Sequence, residues 1–277
     1  MRIELYGKHW GLVSHLRDIF EKDHEVSVVE AKSFPKQFNL KQEEWKADVH
    51  ISTFPYDDLK FYDKKIPIII YATDPVYYYI FEEMKEIQKW EGCTVVAAEP
   101  CFEQTYWPIK YQYVIPFAID PDKYHQWTGG FHKVAVVNRK ARERWTECVR
   151  GITGIAYSLE EYLGDIPFDV VAVDDNAEYR RQLAKYDVMF YFSNSPYTLV
   201  MFEGMGIGMP MVGFNHTHNS TYKPIEKYLN AYSTDRDEIR SMLKVRLNEP
   251  KKETYHVEKF DTIRKMWNDV ISQSTTK

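Results

Sequence analysis

Short runs of consecutive apolar residues recur along the whole chain, separated by polar or helix-like segments. Runs that do not alternate with polar residues are typical of strands in a parallel sheet, where helices cover both faces. In the first half the runs predict strands over residues 2–6, 25–30, 49–53, 67–72, 94–98 and 113–116. In the second half they predict strands over residues 133–137, 168–173, 188–192 and 211–214. This alternation of strands and helices predicts an α/β protein with parallel sheets.

Helical periodicity fills the segments between these strands. Leu12, Leu16, Ile19 and Phe20 form one apolar stripe and predict a crossover helix over residues 11–22. Further helices are predicted over residues 75–89, 141–150, 177–185, 198–206, 235–247 and 257–272. Each half therefore predicts one Rossmann-like, doubly wound domain. Open α/β sheets bind ligands beyond the carboxyl ends of their strands, so two such domains that face each other predict a binding cleft between them.

We expect the two domains to meet near residues 116–124. The expected boundaries are an N-terminal domain over residues 1–118 and a C-terminal domain over residues 119–256. The last segment, 257–277, is expected to form a helix that packs back towards the N-terminal domain.

Composition narrows the class of protein. The chain has 277 residues, of which 44% are hydrophobic, so it can bury two cores of modest size. The longest apolar runs have the length of strands, and no signal segment is apparent, which predicts a cytoplasmic protein without a transmembrane segment. The three cysteines lack metal-ligand spacing, and His216 and His218 lack a third ligand, so no metal site is expected.

Charge disfavours a nucleic-acid partner. The formal net charge is −5, and the first 118 residues contain 14 Lys+Arg against 19 Asp+Glu. Such a chain gains no general electrostatic attraction to phosphate backbones. A local basic patch, formed by charges that are distant in sequence, stays an open alternative.

Glu203 is the one charged residue within the strand, helix and strand predicted over residues 188–192, 198–206 and 211–214, which are otherwise almost wholly apolar. An unpaired carboxylate in dry surroundings is costly, so Glu203 needs either a nearby arginine or a partner with hydroxyls, such as a ribose diol. The unpaired N–H groups at the start of the helix predicted over residues 198–206 would also suit an anion. A diol and a phosphate together indicate a nucleotide.

Cations follow the strand predicted over residues 133–137. Arg139 stands at its carboxyl end and Arg144 in the next turn. The planar guanidinium group can donate two parallel hydrogen bonds to one phosphate. A solvated helix face accounts well for Lys140 and Arg142, so Arg139 and Arg144 are the residues predicted to bind a pyrophosphate.

Two other strand ends carry candidate residues. Gly7 and Gly11 flank the first strand-to-helix turn, where they would let the backbone approach a ligand, although an ordinary tight turn has the same pattern. Asp74 precedes Pro75, so it is either a helix cap or part of a second binding site. The Asp-Pro-Asp sequence at residues 120–122 is interpreted as a turn and not as a metal-binding motif.

Taken together, these segments resemble the retaining two-domain (GT-B) glycosyltransferases, and glycosyltransferase family 4 in particular, over nearly the whole chain. The stretch GLVSHLRDIFEKDHEVSVV resembles the family's first helix and next strand, and VIPFAIDPDKY resembles its linker. VVNRKARER resembles the family's "VGRL" motif. YDVMFYFSNSP and FEGMGIGMPMV resemble its signature of two glutamates separated by seven residues, with Glu203 at the second glutamate.

The resemblance implies transfer of a hexose from a nucleoside diphosphate sugar, a UDP-sugar above all, to an unknown acceptor hydroxyl with retention of anomeric configuration. It implies no required metal or other cofactor. Arg139 and Arg144 would stabilise the departing diphosphate, and Asp74 would orient the acceptor hydroxyl. The residues implied to bind the nucleotide sugar are Gly11, Asp174, Ser195, Thr198, Leu199, Val200 and Glu203. The residues implied on the acceptor side are His9, Thr73 and Tyr77.

Two departures from the family pattern motivate alternatives. Ser195 stands where the family has its first glutamate, and Thr73 stands where it has a histidine. One alternative is therefore a GT-B-like nucleotide-binding or scaffold protein without transfer activity. Another is a glycosyltransferase acting on modified DNA bases, against which the acidic first half argues.

Overall fold

The structure is a computed structural model, and it forms two compact units. Unit 1 comprises Met1–Phe117 and Glu258–Lys277, and unit 2 comprises Ala118–Val257. The residues that the structure describes are 1–7, 10–30, 46–53, 65–73, 86, 88–98, 110–137, 148–150, 156–173, 175–192, 199–214 and 229–276.

Unit 1 contains a six-stranded parallel sheet. Its strands are β1 (Arg2–Gly7), β2 (Glu25–Glu30), β3 (Val49–Ser52), β4 (Ile68–Ala72), β5 (Cys93–Ala97) and β6 (Tyr113–Val114), and helix α1 (Trp10–Phe20) joins the first two. The strand order is β2-β1-β3-β4-β5-β6. The order reverses between β1 and β3, which in sheets of this kind is the point where ligands bind.

Unit 2 contains a five-stranded parallel sheet and a separate two-stranded antiparallel sheet. In chain order its elements are β7 (Val134–Val137), β8 (Cys148–Arg150), β9 (Ala156–Ser158), α2 (Leu159–Leu163), β10 (Phe168–Val171), α3 (Asn176–Leu183), β11 (Val188–Tyr191), α4 (Leu199–Ile207), β12 (Met211–Phe214), β13 (Tyr232–Ser233) and α5 (Arg236–Asn248). The parallel sheet has the order β10-β7-β11-β12-β13. The first five strands of unit 1 follow the same pattern, and in unit 2 the order reverses between β7 and β11.

Both faces of the unit 2 sheet are buried, which explains the uninterrupted apolar runs in its strands. Phe190, Phe192 and Phe214 lie on one face, in a core that also contains apolar residues of α2 and α5. Helix α4 covers the other face at Gly204, where an added Cβ would lie 2.9 Å from Met211 Sδ and 3.1 Å from Met189 Cε. The helix can approach the sheet this closely because residue 204 has no side chain.

The last helix, α6 (Phe260–Thr275), packs within unit 1. Trp267 is fully buried, and its ring centre lies 5.3 Å from that of Phe20 and 4.9 Å from that of Tyr71, both in T-shaped contact. At the end of the helix, Ser274 Oγ lies 2.9 Å from Thr94 Oγ1. Helix α6 thus packs within unit 1 through a buried face on which Trp267 is the largest side chain.

The architecture is α/β with parallel sheets, as the apolar runs predicted, and it is compatible with a Rossmann-like fold in each unit. Each strand predicted from the sequence is present, with ends that differ by at most two residues. The helix predicted over residues 75–89 lies almost wholly outside the described residues.

One predicted helix is wrong at its carboxyl end. Residues 141–150 were predicted as helix, but Cys148–Arg150 forms β8 and pairs antiparallel with β9. The charged residues upstream favour a helix, whereas cysteine and valine are weak helix formers, and pairing with β9 outweighs the local preference. The rest of this predicted helix, residues 141–147, lies outside the described residues.

No helix in the described part of the chain is both long enough and apolar enough to cross a membrane.

Trp267→Ala is expected to lower the free energy of unfolding by about 3–5 kcal/mol, because it removes a large buried ring and leaves a cavity. Urea denaturation followed by circular dichroism measures the change. The matched control is Lys265→Ala on the exposed side of the same helix, which is expected to stay within about 0.5 kcal/mol of the wild type. Equal effects of the two substitutions would show that Trp267 does not hold α6 in place.

Candidate functional site

Helix α4 follows β11, one of the two strands between which the order of the unit 2 sheet reverses. It has nine residues, and Glu203 is its one charged residue. Leu199 and Val200, its first two residues, are half-buried. Glu203 therefore lies on the helix that follows the carboxyl end of β11. Open α/β sheets bind ligands beyond the carboxyl ends of their strands.

Two tyrosine hydroxyls donate to the carboxylate of Glu203. The Tyr124 hydroxyl lies 2.5 Å from Oε1, and the Tyr179 hydroxyl lies 2.7 Å from Oε2. Glu203 is 2% exposed, Tyr124 is 8% exposed and Tyr179 is fully buried. These distances are those of charge-assisted O–H···O⁻ hydrogen bonds. Glu203 thus has two hydroxyl partners that belong to the protein itself, and the ribose diol offered by the sequence analysis stays a prediction.

Local structure places both tyrosines. Tyr179 lies in α3, which begins after Asp175, whose carboxylate accepts the backbone N–H of Glu178 at 2.7 Å. Tyr124 follows the predicted turn at residues 120–122, where the Asp120 side chain accepts the Asp122 backbone N–H at 3.0 Å. A helix cap and a turn therefore set the positions from which the two phenols reach Glu203.

The electrostatic environment keeps Tyr124 a hydrogen-bond donor. Burial raises the pKa of its phenol well above its ordinary value, and the negative charge of Glu203 raises this pKa further. Arg180 acts in the opposite direction, and its guanidinium carbon lies 4.5 Å from the ring centre of Tyr124. At neutral pH the phenol is protonated and donates to the carboxylate.

The carboxyl end of α4 is bound by a first connecting segment, residues 118–133, which follows the first part of unit 1 in the chain. The backbone N–H of Trp127 donates to the Ile207 carbonyl at 3.1 Å. This bond satisfies one of the carbonyl acceptors at the end of the helix. Ile119 packs against the helix so closely that a Cβ on Gly206 would lie 2.4 Å from its Cδ1. The segment that carries Tyr124 is thus attached to α4 at the middle of the helix and at its carboxyl end.

A second connecting segment, residues 249–257, precedes α6 and binds the residues just after α4. The Glu253 N–H donates to the Gly208 carbonyl at 3.0 Å, and the Tyr255 hydroxyl donates to the Met209 carbonyl at 2.9 Å. The two connecting segments also contact each other, because Lys252 Nζ lies 2.7 Å from Gln126 Oε1. Helix α4 is therefore the common attachment of both segments.

The structure brings together some of the predicted site residues. Leu199, Val200 and Glu203 share α4 in unit 2, whereas Gly11 and Thr73 lie in unit 1. Gly11 is the second residue of α1, Thr73 directly follows β4, and both are half-buried. The other predicted residues lie outside the described residues, and their roles stay predictions: His9, Asp74, Tyr77, Arg139, Arg144, Asp174, Ser195 and Thr198.

Another buried carboxylate, which the sequence analysis missed, lies in unit 1. Glu4 on β1 stands directly opposite His50 on β3, and Glu4 Oε2 lies 3.1 Å from His50 Nδ1. The Tyr6 hydroxyl donates to the same oxygen, and all three residues are buried. The signal was the one that identified Glu203, a charged residue in an apolar run, but in a strand it is easily taken for the exposed half of an alternating pattern.

The described residues contain no group of three or more histidine, cysteine, aspartate or glutamate side chains that could hold a metal ion.

Comparison with known proteins gives little further information. No protein-family model matches the chain, and no curated protein matches it. One similar solved structure is described as the "Glycosylation Associate Protein (Gap123) complex from Streptococcus agalactiae". The sequences are 10% identical, the match covers 86% of this chain and 54% of that chain, and the TM-score is 0.44. The chain thus spans about half the length of this neighbour, and a likeness this distant carries no argument about activity.

Glu203→Leu is expected to lower the free energy of unfolding by about 3 kcal/mol, because it leaves two buried phenols without their acceptor. Glu203→Gln keeps an acceptor oxygen and nearly the same volume, so its expected cost is about 1 kcal/mol. Urea denaturation at neutral pH measures both. If Leu costs no more than Gln, the hydrogen bonds to Tyr124 and Tyr179 do not stabilise the fold.

The stability of the protein is expected to fall as the pH rises above about 10, in part because of Tyr124. Its pKa in the folded state is raised above the ordinary value of 10.0, so its contribution is complete below that pH and is lost as the pH rises through the folded-state pKa. Urea denaturation of the wild type and of Tyr124→Phe at about pH 8 and about pH 11 isolates this effect. The wild type should lose more stability than the variant, and equal losses would contradict the assignment.

Proposed function

We propose that the chain is a glycosyltransferase that moves a hexose from a nucleoside diphosphate sugar to an acceptor hydroxyl with retention, and that unit 2 binds the donor nucleotide. The observation that carries the proposal is Glu203. It is a buried, hydrogen-bonded carboxylate on the helix beyond the point where the strand order reverses. It also falls on the second glutamate of the glycosyltransferase signature that the sequence resembles.

The geometry of Glu203 suits a ribose diol. A carboxylate offers about four acceptor positions, so one carboxylate can accept ribose hydroxyls as well as protein donors. Tyr124 and Tyr179 supply one hydroxyl to each oxygen and hold the group in place before a ligand arrives. A preorganised acceptor binds with a smaller loss of conformational freedom than a mobile one.

In this proposal the diphosphate binds at the start of α4 and is bound by two arginines. Helix N-termini present free N–H groups and a partial positive charge, to which Leu199 and Val200 contribute as the first residues of α4. Arg139 and Arg144, which follow β7 in the sequence, would balance the charge that develops on the departing diphosphate. The place of Arg139 at the end of a predicted strand and the resemblance to the family motif both support this role.

A second candidate function is a nucleotide-binding protein of the same architecture that does not transfer sugar. The observation that favours it is Thr73, which directly follows β4 at the position where the family pattern has a histidine. Ser195, at the position of the family's first glutamate, points in the same direction, because that glutamate is expected to contact the donor sugar.

The nucleotide proposal predicts saturable binding of a nucleoside diphosphate, measured by isothermal titration calorimetry with UDP, GDP, ADP and CDP. Arg139→Ala should weaken binding by about 10- to 100-fold, the usual loss when a charge-assisted hydrogen bond is removed. The matched control is Arg181→Ala, since Arg181 is an exposed arginine on α3 whose partner is Glu178. If the wild type binds none of the four diphosphates, the proposal is wrong.

Turnover separates the two candidate functions. The protein is incubated with UDP-glucose, UDP-galactose and GDP-mannose, and the release of the nucleoside diphosphate is measured with and without simple sugar acceptors. Release by the wild type that Arg139→Ala abolishes and Arg181→Ala retains supports the transferase. Nucleotide binding without any release supports the second candidate.

A further inference from the structure

We propose that the second connecting segment, residues 249–257, acts as a strap that closes over the carboxyl end of α4, with Glu253 as the residue that locks it. In this device the segment and residues 204–209 open together as one local unit, at a lower free energy than the unfolding of the whole protein. The device is independent of the proposed sugar transfer, because it consists of contacts within the chain. Its parts are the end of α4, two donors of the segment and an ion pair with α5.

The carboxyl end of α4 contains buried residues whose carbonyl groups need donors from outside the helix. The helix closes with a Schellman motif, in which the Met209 N–H donates to the Gly204 carbonyl at 3.0 Å. Gly208 has the positive φ, 77°, that the motif requires. The carbonyls of Gly208 and Met209 accept no bond within this motif, although both residues are buried. A donor must therefore reach each of them from another part of the chain.

The second connecting segment supplies both donors. The Glu253 N–H donates to the Gly208 carbonyl at 3.0 Å, and the Tyr255 hydroxyl donates to the Met209 carbonyl at 2.9 Å. The segment also lies directly against Gly208, where an added Cβ would be 2.5 Å from Lys252 Cε and 3.1 Å from the Glu253 carbonyl oxygen. When the segment leaves, both carbonyls lose their donors, so the end of the helix is weakened in the same event.

The Glu253 carboxylate ties the segment to α5. Arg246, in the last turn of α5, donates from Nε to Oε1 at 3.1 Å, and its Nη2 lies 3.1 Å from the same oxygen. The two side chains are 20% and 22% exposed, so solvent screens this ion pair less than a pair on the surface. Glu253 thus holds α4 through its backbone and α5 through its side chain, which makes it the residue on which closure depends.

The Tyr255 hydroxyl connects the ion pair to the helix. It lies 2.7 Å from Glu253 Oε2 and 2.9 Å from the Met209 carbonyl oxygen, so one proton is shared between two acceptors. Burial, and after it the negative charge of Glu253, raises the pKa of this phenol above its ordinary value, which keeps the proton in place at neutral pH. A change in the charge of Glu253 therefore alters the hydrogen bond that Tyr255 makes to the helix.

Hydrogen exchange of the wild-type chain, followed by mass spectrometry at several low urea concentrations, tests for the local unit. Peptides over residues 204–209 and 249–257 are expected to exchange with the same opening free energy and the same weak dependence on urea, because a local opening exposes little surface. A peptide over Val188–Tyr191, in the buried sheet, is expected to exchange more slowly and with the steep urea dependence of global unfolding. If the first two peptides open independently of each other, or only together with the third, the strap does not exist.

Glu253→Gln tests the lock, because it keeps the shape of the side chain and removes its charge. It is expected to speed exchange about tenfold in both of the first two peptides, since a charge-assisted bond between partly buried groups is lost. The matched control is Glu249→Gln in the same segment, whose carboxylate is 72% exposed and pairs with the exposed Lys251. The control should change neither peptide by more than about twofold.

Arg246→Gln removes the other member of the ion pair and should speed exchange in the same two peptides, so it provides a second test if Glu253→Gln does not fold. Equal effects of Glu253→Gln and Glu249→Gln overturn the role of Glu253. An effect of Glu253→Gln that is confined to residues 249–257 overturns the coupling between the segment and the end of α4.

Discussion

The burial of one negative charge, that of Glu203, constrains much of unit 2. A carboxylate removed from water is tolerated only when hydrogen bonds replace the solvent. The two phenols that do so lie 79 and 24 residues away along the chain, so the charge can be buried only when α3, α4 and the first connecting segment are assembled together. Gly208 and Met209, which directly follow the carboxyl end of α4, bind the second connecting segment. A polar group inside an apolar helix thus specifies how three elements meet.

Unit 1 also contains a buried carboxylate with partners in the protein, but its partners differ from those of Glu203. Glu4 and His50 are opposite each other on β1 and β3, the two strands between which the sheet order reverses, and Tyr6 donates to the same carboxylate. The carboxylate in unit 1 has a histidine beside it within the sheet, whereas the carboxylate in unit 2 receives one phenol on each oxygen. The contacts of Glu4 therefore link two neighbouring strands of one sheet, whereas those of Glu203 link α4 to α3 and to the first connecting segment.

The sequence predicted the strands well because strands covered on both faces consist of uninterrupted apolar residues, as in Ile68–Ala72 and Val188–Tyr191. It identified Glu203 for a physical reason that requires no tertiary knowledge, the cost of a charge in dry surroundings. It did not identify Tyr124 and Tyr179, because tyrosine is common in cores and no periodicity links residues that meet only in the folded chain. The helix predicted over 141–150 was wrong at Cys148–Arg150, where pairing with a later segment outweighed local preference.

The internal partners of Glu203 bear on its proposed role as a ligand-binding group. An unsatisfied carboxylate would need a ligand to complete the fold, and the free protein would lose stability. A carboxylate that already accepts two phenols is oriented in the free protein, so in the proposed site a ligand hydroxyl would meet an acceptor whose direction is already set. A hydrogen bond between protein and ligand replaces hydrogen bonds to water, so its net free energy is small. When the acceptor is preorganised, less conformational freedom is lost on binding and more of that free energy contributes to affinity. A carboxylate such as Glu203 can therefore be hydrogen-bonded within the protein and still recognise a ligand. In the proposed site, the two phenols would make this possible by fixing its direction.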